Sequence, residues 1–223
     1  MALKREGRNV NKLKYVAAFS LACLIFAGGM LGGYYISQGK VNDILNVERE
    51  ARLQLETLDL EEKLFENAPC INPSLLSANL DDLGAKLTFL ESNYEKNDPR
   101  VLELKKPYTL LEVRHYLTLK NMIERCGKQN YTLIMFFYSN SPDRIKESEK
   151  QGFVLNYIQK KFTTDKVKIY SFDTDLDMDM IKTLMDVYGI GTVPSMIIDG
   201  KLYMGFHDTE ELENAVGNKW NAQ

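Results

Sequence analysis

From Tyr15 to Ile36 the chain carries no charged side chain, and no other feature limits so strongly what it can fold into. A helix of that length spans roughly 30 Å, the thickness of a bilayer's hydrocarbon core. Just before it stand Lys4, Arg5, Arg8, Lys12 and Lys14 against a single Glu6. Such a basic flank stays in the cytoplasm, so the sequence predicts a cytoplasmic tail over 1–14, a transmembrane helix over 15–36 and everything later outside. Tyr15, Tyr34 and Tyr35 stand where interfacial aromatics belong. A cleaved signal peptide would have a shorter apolar region ending in a small-x-small step. This run is long and ends in Gly32-Gly33-Tyr34-Tyr35, which reads as an uncleaved anchor. Gly28-Gly29 and Gly32-Gly33 repeat at four-residue spacing, which either lets two such helices pack or is merely tolerated in a membrane helix.

After a short polar stalk, Ser37 to Asn42, residues 41–127 read as a small helical module. The first helix runs from Val41 to about Glu66, with Leu53, Leu58, Leu60 and Leu64 only loosely periodic, and Pro69 and Pro73 break it. Ser74 opens a second helix. Its Leu76, Leu80, Leu83, Leu87, Leu90 and Tyr94 follow one another at spacings of three and four, the clearest stripe in the sequence. Asn97-Asp98-Pro99 ends it, and a third helix is expected from about Tyr108 to Arg125, stopping at Cys126-Gly127. The stripe suits packing of the three helices on each other and on the next domain, or else a coiled-coil partner surface.

At Tyr131 the pattern changes. Tyr131 to Tyr138 is a continuous apolar, β-prone run, as expected of a strand covered on both faces. A helix from about Arg144 to Phe162, a strand from Lys166 to Phe172 and a helix from Met178 to Tyr188 follow. Ser195–Ile198 and Leu202–Phe206 form a hairpin turning at Asp199-Gly200, and Asp208 caps a last helix to about Val216. The order β-α-β-α-β-β-α over residues 130–217 is an α/β layer architecture, with 218–223 left as a tail.

The Tyr188-Gly189-Ile190 helix end, the Val193-Pro194-Ser195 step, the Asp199-Gly200-Lys201 turn and the two hydrophobic strands resemble the second-half signature of the thioredoxin-like superfamily. The resemblance covers about Tyr131 to Val216, and the family's usual additional first strand and helix are not evident. It implies a cis Pro194 facing an active-site motif, and dithiol–disulfide chemistry by a Cys-x-x-Cys that opens the first helix, where the helix N-terminus lowers the thiol pKa. The corresponding stretch here is Ser139-Asn140-Ser141-Pro142-Asp143-Arg144. One register puts Ser141 and Arg144 at the two cysteine positions, the other Ile145 and Ser148, and neither supplies a sulfur. A hydroxyl has no redox couple, so exchange at this site is not expected. Ser141 has no Gly-x-Ser-x-Gly elbow, the only histidines are His115 and His207, and Ser141-Pro142-Asp143 reads as a turn and helix cap. What the resemblance leaves is a groove at Val193, Pro194 and Ser195 that binds extended peptide.

Three cysteines remain. Cys23 falls inside the apolar span, while Cys70 and Cys126 lie outside, each at a helix break, and are expected to form a structural disulfide; free or reactive thiols are the alternative. Asp173-x-Asp175-x-Asp177-x-Asp179 lacks the glycine and glutamate of a calcium loop, so it reads as an acidic helix cap. No cofactor, metal or nucleic-acid partner is expected: there is no phosphate-binding glycine loop, no cluster at ligand spacing and no basic stripe, and the net charge is -3. The function expected is a membrane-tethered extracytoplasmic domain that binds or scaffolds a protein or peptide partner, with folding or quality control as a setting, rather than an enzyme. Two alternatives stand beside it: an accessory thiol–disulfide oxidoreductase using Cys70 and Cys126, and a structural subunit of an envelope complex that associates through the membrane helix or the leucine stripe.

Overall fold

The computed structural model of the protein describes residues 12–67, 74–94, 98–126, 131–163 and 166–217. They fall into two compact units, Met1–Leu45 and Asn46–Gln223. Helix α1, Lys12–Asn67, enters both. Within the first unit, Lys12–Tyr34 is long and apolar enough to cross a membrane. None of it is buried in the protein, and Phe19, Leu24, Ile25 and Phe26 are all exposed. A soluble protein would bury such a surface. The expected stalk at Ser37–Asn42 is instead part of α1. Only Gly39 disfavours helix there, by about 1 kcal/mol, and no proline interrupts the backbone.

The second unit is mixed α/β. After the last part of α1 come α2 (Ser74–Asn93) and α3 (Pro99–Cys126), then β1 (Thr132–Tyr138), α4 (Ile145–Phe162), β2 (Val167–Asp173), α5 (Asp179–Tyr188), β3 (Ser195–Ile198), β4 (Lys201–Met204) and α6 (Thr209–Gly217). The sheet order is β2-β1-β3-β4. β1 and β2 are parallel, with Ile134 opposite Ile169, and β3 is antiparallel to both β1 and β4. Alternation along β1 splits two cores. Leu133, Met135 and Phe137 join Tyr170 and Phe172 against leucines of α2 and α3, whereas Ile134 and Phe136 join Leu155 and Ile158 of α4 and Leu212 and Val216 of α6.

Leu80, Leu83, Leu87 and Leu90 of the α2 stripe are buried within this unit. Helix α3 begins well before the expected Tyr108. Asp98 accepts the Leu102 N–H at 3.0 Å, and Pro99 takes the first helical position, where its missing donor has no consequence. Pro107 lies inside α3 and forfeits one backbone bond; burial of Val101, Leu104 and Leu111 on either side holds the helix together across it. Close approach of α2 and α3 needs Gly84, because a Cβ there would stand 2.7 Å from the Tyr108 hydroxyl oxygen.

Local chemistry sets the later boundaries. Gly189, at φ 68°, ends α5 while Ile190 N–H returns to the Met185 carbonyl at 2.8 Å. Asp199 and Gly200 both have positive φ, as a two-residue hairpin turn requires, and Asp199 Oδ1 also accepts the Leu133 N–H at 3.0 Å. Asp208 caps α6 by accepting the Glu211 N–H at 2.9 Å, while Glu211 reaches back to the Asp208 N–H at 3.3 Å.

Candidate functional site

The residues that the sequence singles out sit at the C-terminal end of β1, where the chain turns into α4. Arg144 N–H donates to the Ser141 carbonyl at 3.0 Å and Ile145 N–H to the same oxygen at 2.8 Å, closing the turn over Pro142 and Asp143. Of the expected turn and helix cap, the turn is there but the cap is not. The residue preceding α4 is Arg144, which has no short side-chain acceptor and makes no capping bond, and the Ser141 hydroxyl is engaged elsewhere. It shares a 2.6 Å hydrogen bond with the Ser139 hydroxyl and bonds to Asp143. That bond from Ser141, followed by Asp143's own backbone N–H, holds the Asp143 carboxyl below the usual range.

Two aspartates from the end of β2 stitch this turn down. Asp175 accepts the Ser139 hydroxyl at 2.9 Å and the Asn140 N–H at 2.6 Å, and Asp173 accepts the Asn140 side-chain amide at 2.8 Å. Asp173 is buried and also takes Lys105 Nζ at 3.0 Å, and Lys105 reaches Glu91 at 2.7 Å. In the other register, Ile145 is half-buried and Ser148 is buried, its hydroxyl accepting the Ser139 N–H at 3.1 Å. These serines therefore serve as donors and acceptors in a closed network. Neither histidine serves them as a base: His115 Nδ1 bonds the Tyr170 hydroxyl at 2.8 Å, and His207 Nδ1 bonds Glu211 at 3.0 Å.

The Val193–Pro194 peptide is cis, and Val193, Pro194 and Ser195 are all buried. The Pro194 carbonyl accepts the Gly205 N–H at 2.8 Å, and the Ser195 hydroxyl donates to the Thr192 carbonyl at 2.7 Å. Part of the hydrogen-bonding capacity that a peptide strand would use is thus taken up within the fold.

The four aspartates from Asp173 to Asp179 do not converge. Asp173 and Asp175 turn to the β1 end, while Asp177 pairs with Lys182 at 2.7 Å, and no cluster able to hold a metal ion exists among the described residues. Cys23 is a free thiol, Cys126 at the end of α3 is not, and Cys70 lies outside the described residues. With no family model and no curated protein does the chain find a match.

Sequence reasoning missed the contribution of α3. The third helix was expected only from about Tyr108 and neither Lys105 nor Glu112 was singled out, yet both are buried. They fall seven residues apart, two turns along one face, together with the buried Val101, Leu104 and Thr109. Charges that share a face with core residues are the signal that could have revealed them.

Proposed function

We propose that the protein is a single-pass membrane protein whose extracytoplasmic unit is a thioredoxin-like domain, inactive as an oxidoreductase at the usual site, that binds or scaffolds an extracytoplasmic protein partner. One observation carries this reading. Where the resemblance puts a dithiol, at Ser141 and Arg144 or at Ile145 and Ser148, no sulfur is present, and Ser141 is tied through the Ser139 hydroxyl to Asp175. The α/β order, the parallel first pair of strands and the closing hairpin support the fold assignment. The basic residues before the apolar helix favour a cytoplasmic N-terminus.

The test is made on the full chain in its own membrane. External protease is expected to degrade the second unit in intact cells, crosslinking is expected to trap a discrete protein partner, and the purified chain is expected to leave a model disulfide substrate unchanged. Turnover of that substrate, lost in Cys70→Ser, would replace the binding reading with the accessory oxidoreductase.

A structural bridge between Cys70 and Cys126 belongs to the same proposal. It is supported by the free state of Cys23 and the absence of a free thiol at Cys126. Closing a loop of about 57 residues restricts the unfolded chain by roughly 4 kcal/mol. Non-reduced protein should therefore migrate faster than reduced protein on a denaturing gel, and Cys126→Ser should abolish the difference. Identical migration of the two forms would count against the bridge.

A further inference from the structure

A cavity of about 340 Å³ lies where α2 and α3 wrap around the β2 edge and meet α4. Its floor is the outer part of the sheet, where the Phe136 and Tyr138 rings stack at 5.6 Å. Its mouth is flanked by the exposed Thr88 of α2 and Asn156 of α4. The wall contributed by the helices is charged, and its charges are not equally committed. Lys105 Nζ is held between Glu91 and Asp173 at 2.7 and 3.0 Å, which leaves it little to offer an incoming group. Glu112 is 3% exposed; one of its oxygens accepts the Ser171 N–H at 2.9 Å, and the other, Oε2, has no hydrogen-bond partner. A buried carboxyl oxygen left without a partner is costly unless something fills the site.

We propose that this cavity binds a small organic ammonium carried on an apolar body, with Glu112 as the group that pairs with its nitrogen. Glu91 and Asp173 share the one lysine of the wall, so an anion finds no uncommitted cation there. An ammonium finds the unpartnered Oε2, while its apolar body lies on the faces of Phe136 and Tyr138, which favour a nearby cation. Burial raises the Glu112 carboxyl to about 8, with the Ser171 N–H working in the opposite direction, so the group is held mostly neutral at pH 7. Pairing with an ammonium reverses that balance, and the Glu112 proton passes to solvent. The site adjoins the serine turn through Asp173, but the pairing group is Glu112 and its chemistry does not depend on the reading given for that turn.

Titration calorimetry of the full chain in detergent micelles at pH 7, against a protein-free micelle blank, tests the assignment with benzylamine, benzyl alcohol and benzoate. Benzylamine should bind saturably and at least tenfold more tightly than benzyl alcohol, with benzoate weakest. Glu112→Gln should weaken benzylamine at least tenfold and bring it close to the alcohol. Gly152→Leu supplies a second arm. Gly152 lines the cavity on α4, a Cβ there meets nothing within 4 Å, and replacing glycine inside a helix favours the fold. This variant should keep the wild-type melting temperature and lose benzylamine binding. Equal affinity for amine and alcohol, tighter binding of benzoate, no binding of benzylamine, or unchanged binding in folded Gly152→Leu would each overturn the proposal.

Discussion

Replacing Glu112 by Gln is expected to raise stability by about 1 kcal/mol near pH 5 and by about 5 kcal/mol at pH 8.5. The buried Glu112 carboxyl titrates at about 8 in the folded protein, chiefly because burial penalises the carboxylate. In the unfolded chain it titrates in the ordinary range near 4.3. Between those two values the folded state keeps a proton that the unfolded state has released. Stability therefore falls as pH rises, by about 1.4 kcal/mol per pH unit across the window, and this contribution is gone above about 8. Glutamine is neutral throughout, and its carbonyl can accept the Ser171 N–H as Glu112 does. Urea midpoints of wild type and variant, measured in micelles at pH 5, 7 and 8.5, give the difference directly, because other titrating groups contribute equally to both. Parallel pH profiles would mean that Glu112 is hydrated and carries an ordinary pKa.

Glu112 also marks the boundary of what could be read from the sequence. The strands and helices after Tyr131 were legible because each announces itself locally: an apolar run for β1, Asp199-Gly200 for the hairpin, Asp208 and Glu211 for the start of α6. The α2 stripe was legible for the same reason. What covers the β2 edge was not, because it depends on partners far apart in the chain. In a parallel pair, alternate N–H groups of the outer strand point away from its neighbour and need another acceptor. Here Glu112 of α3 accepts from Ser171, and Asp81 of α2 pairs with Lys168 at 3.2 Å. Neither spacing is a motif. Helix α3 was expected only from about Tyr108, yet Pro107, a residue type that usually ends a helix, sits within it, because tertiary burial on both sides outweighs the lost hydrogen bond.

The serine turn was legible in composition but not in bonding. The absence of sulfur could be read from residues 139–148. That Asp173 and Asp175 hold the turn shut could not, since acidic residues at that spacing read equally well as a solvated helix cap. The stitch extends further, through Asp173 to Lys105 and Glu91, so the turn after β1 is braced from α2 and α3.

Lys105→Ala is therefore expected to destabilise the second unit by about 3 kcal/mol, with an upper value near 5. The Lys105 and Asp173 side chains are 4% and 3% exposed, while Glu91 at 23% retains some water. Burial works against the lysine's charge, but Glu91 and then Asp173 outweigh it and raise its pKa above 10.5. Its contribution is accordingly complete at neutral pH and is lost only as pH climbs through that raised value, so the loss in Lys105→Ala should be the same at pH 5 and pH 8.5, unlike the Glu112 effect. Removing the lysine leaves a buried aspartate supported by two neutral donors, the Asn140 amide at 2.8 Å and the Asp175 N–H at 3.1 Å, which places the expected cost at the lower end. Neutralising both partners, as Lys105→Met with Asp173→Asn, removes the stranded charge and should recover more than half of the loss. Urea unfolding in micelles reads both values, and amide exchange at Asn140 reports whether the turn loosens with them. A single-variant cost below about 1 kcal/mol, or a double variant no more stable than the single, would show that the three groups are solvated and that the turn is not braced by the helices.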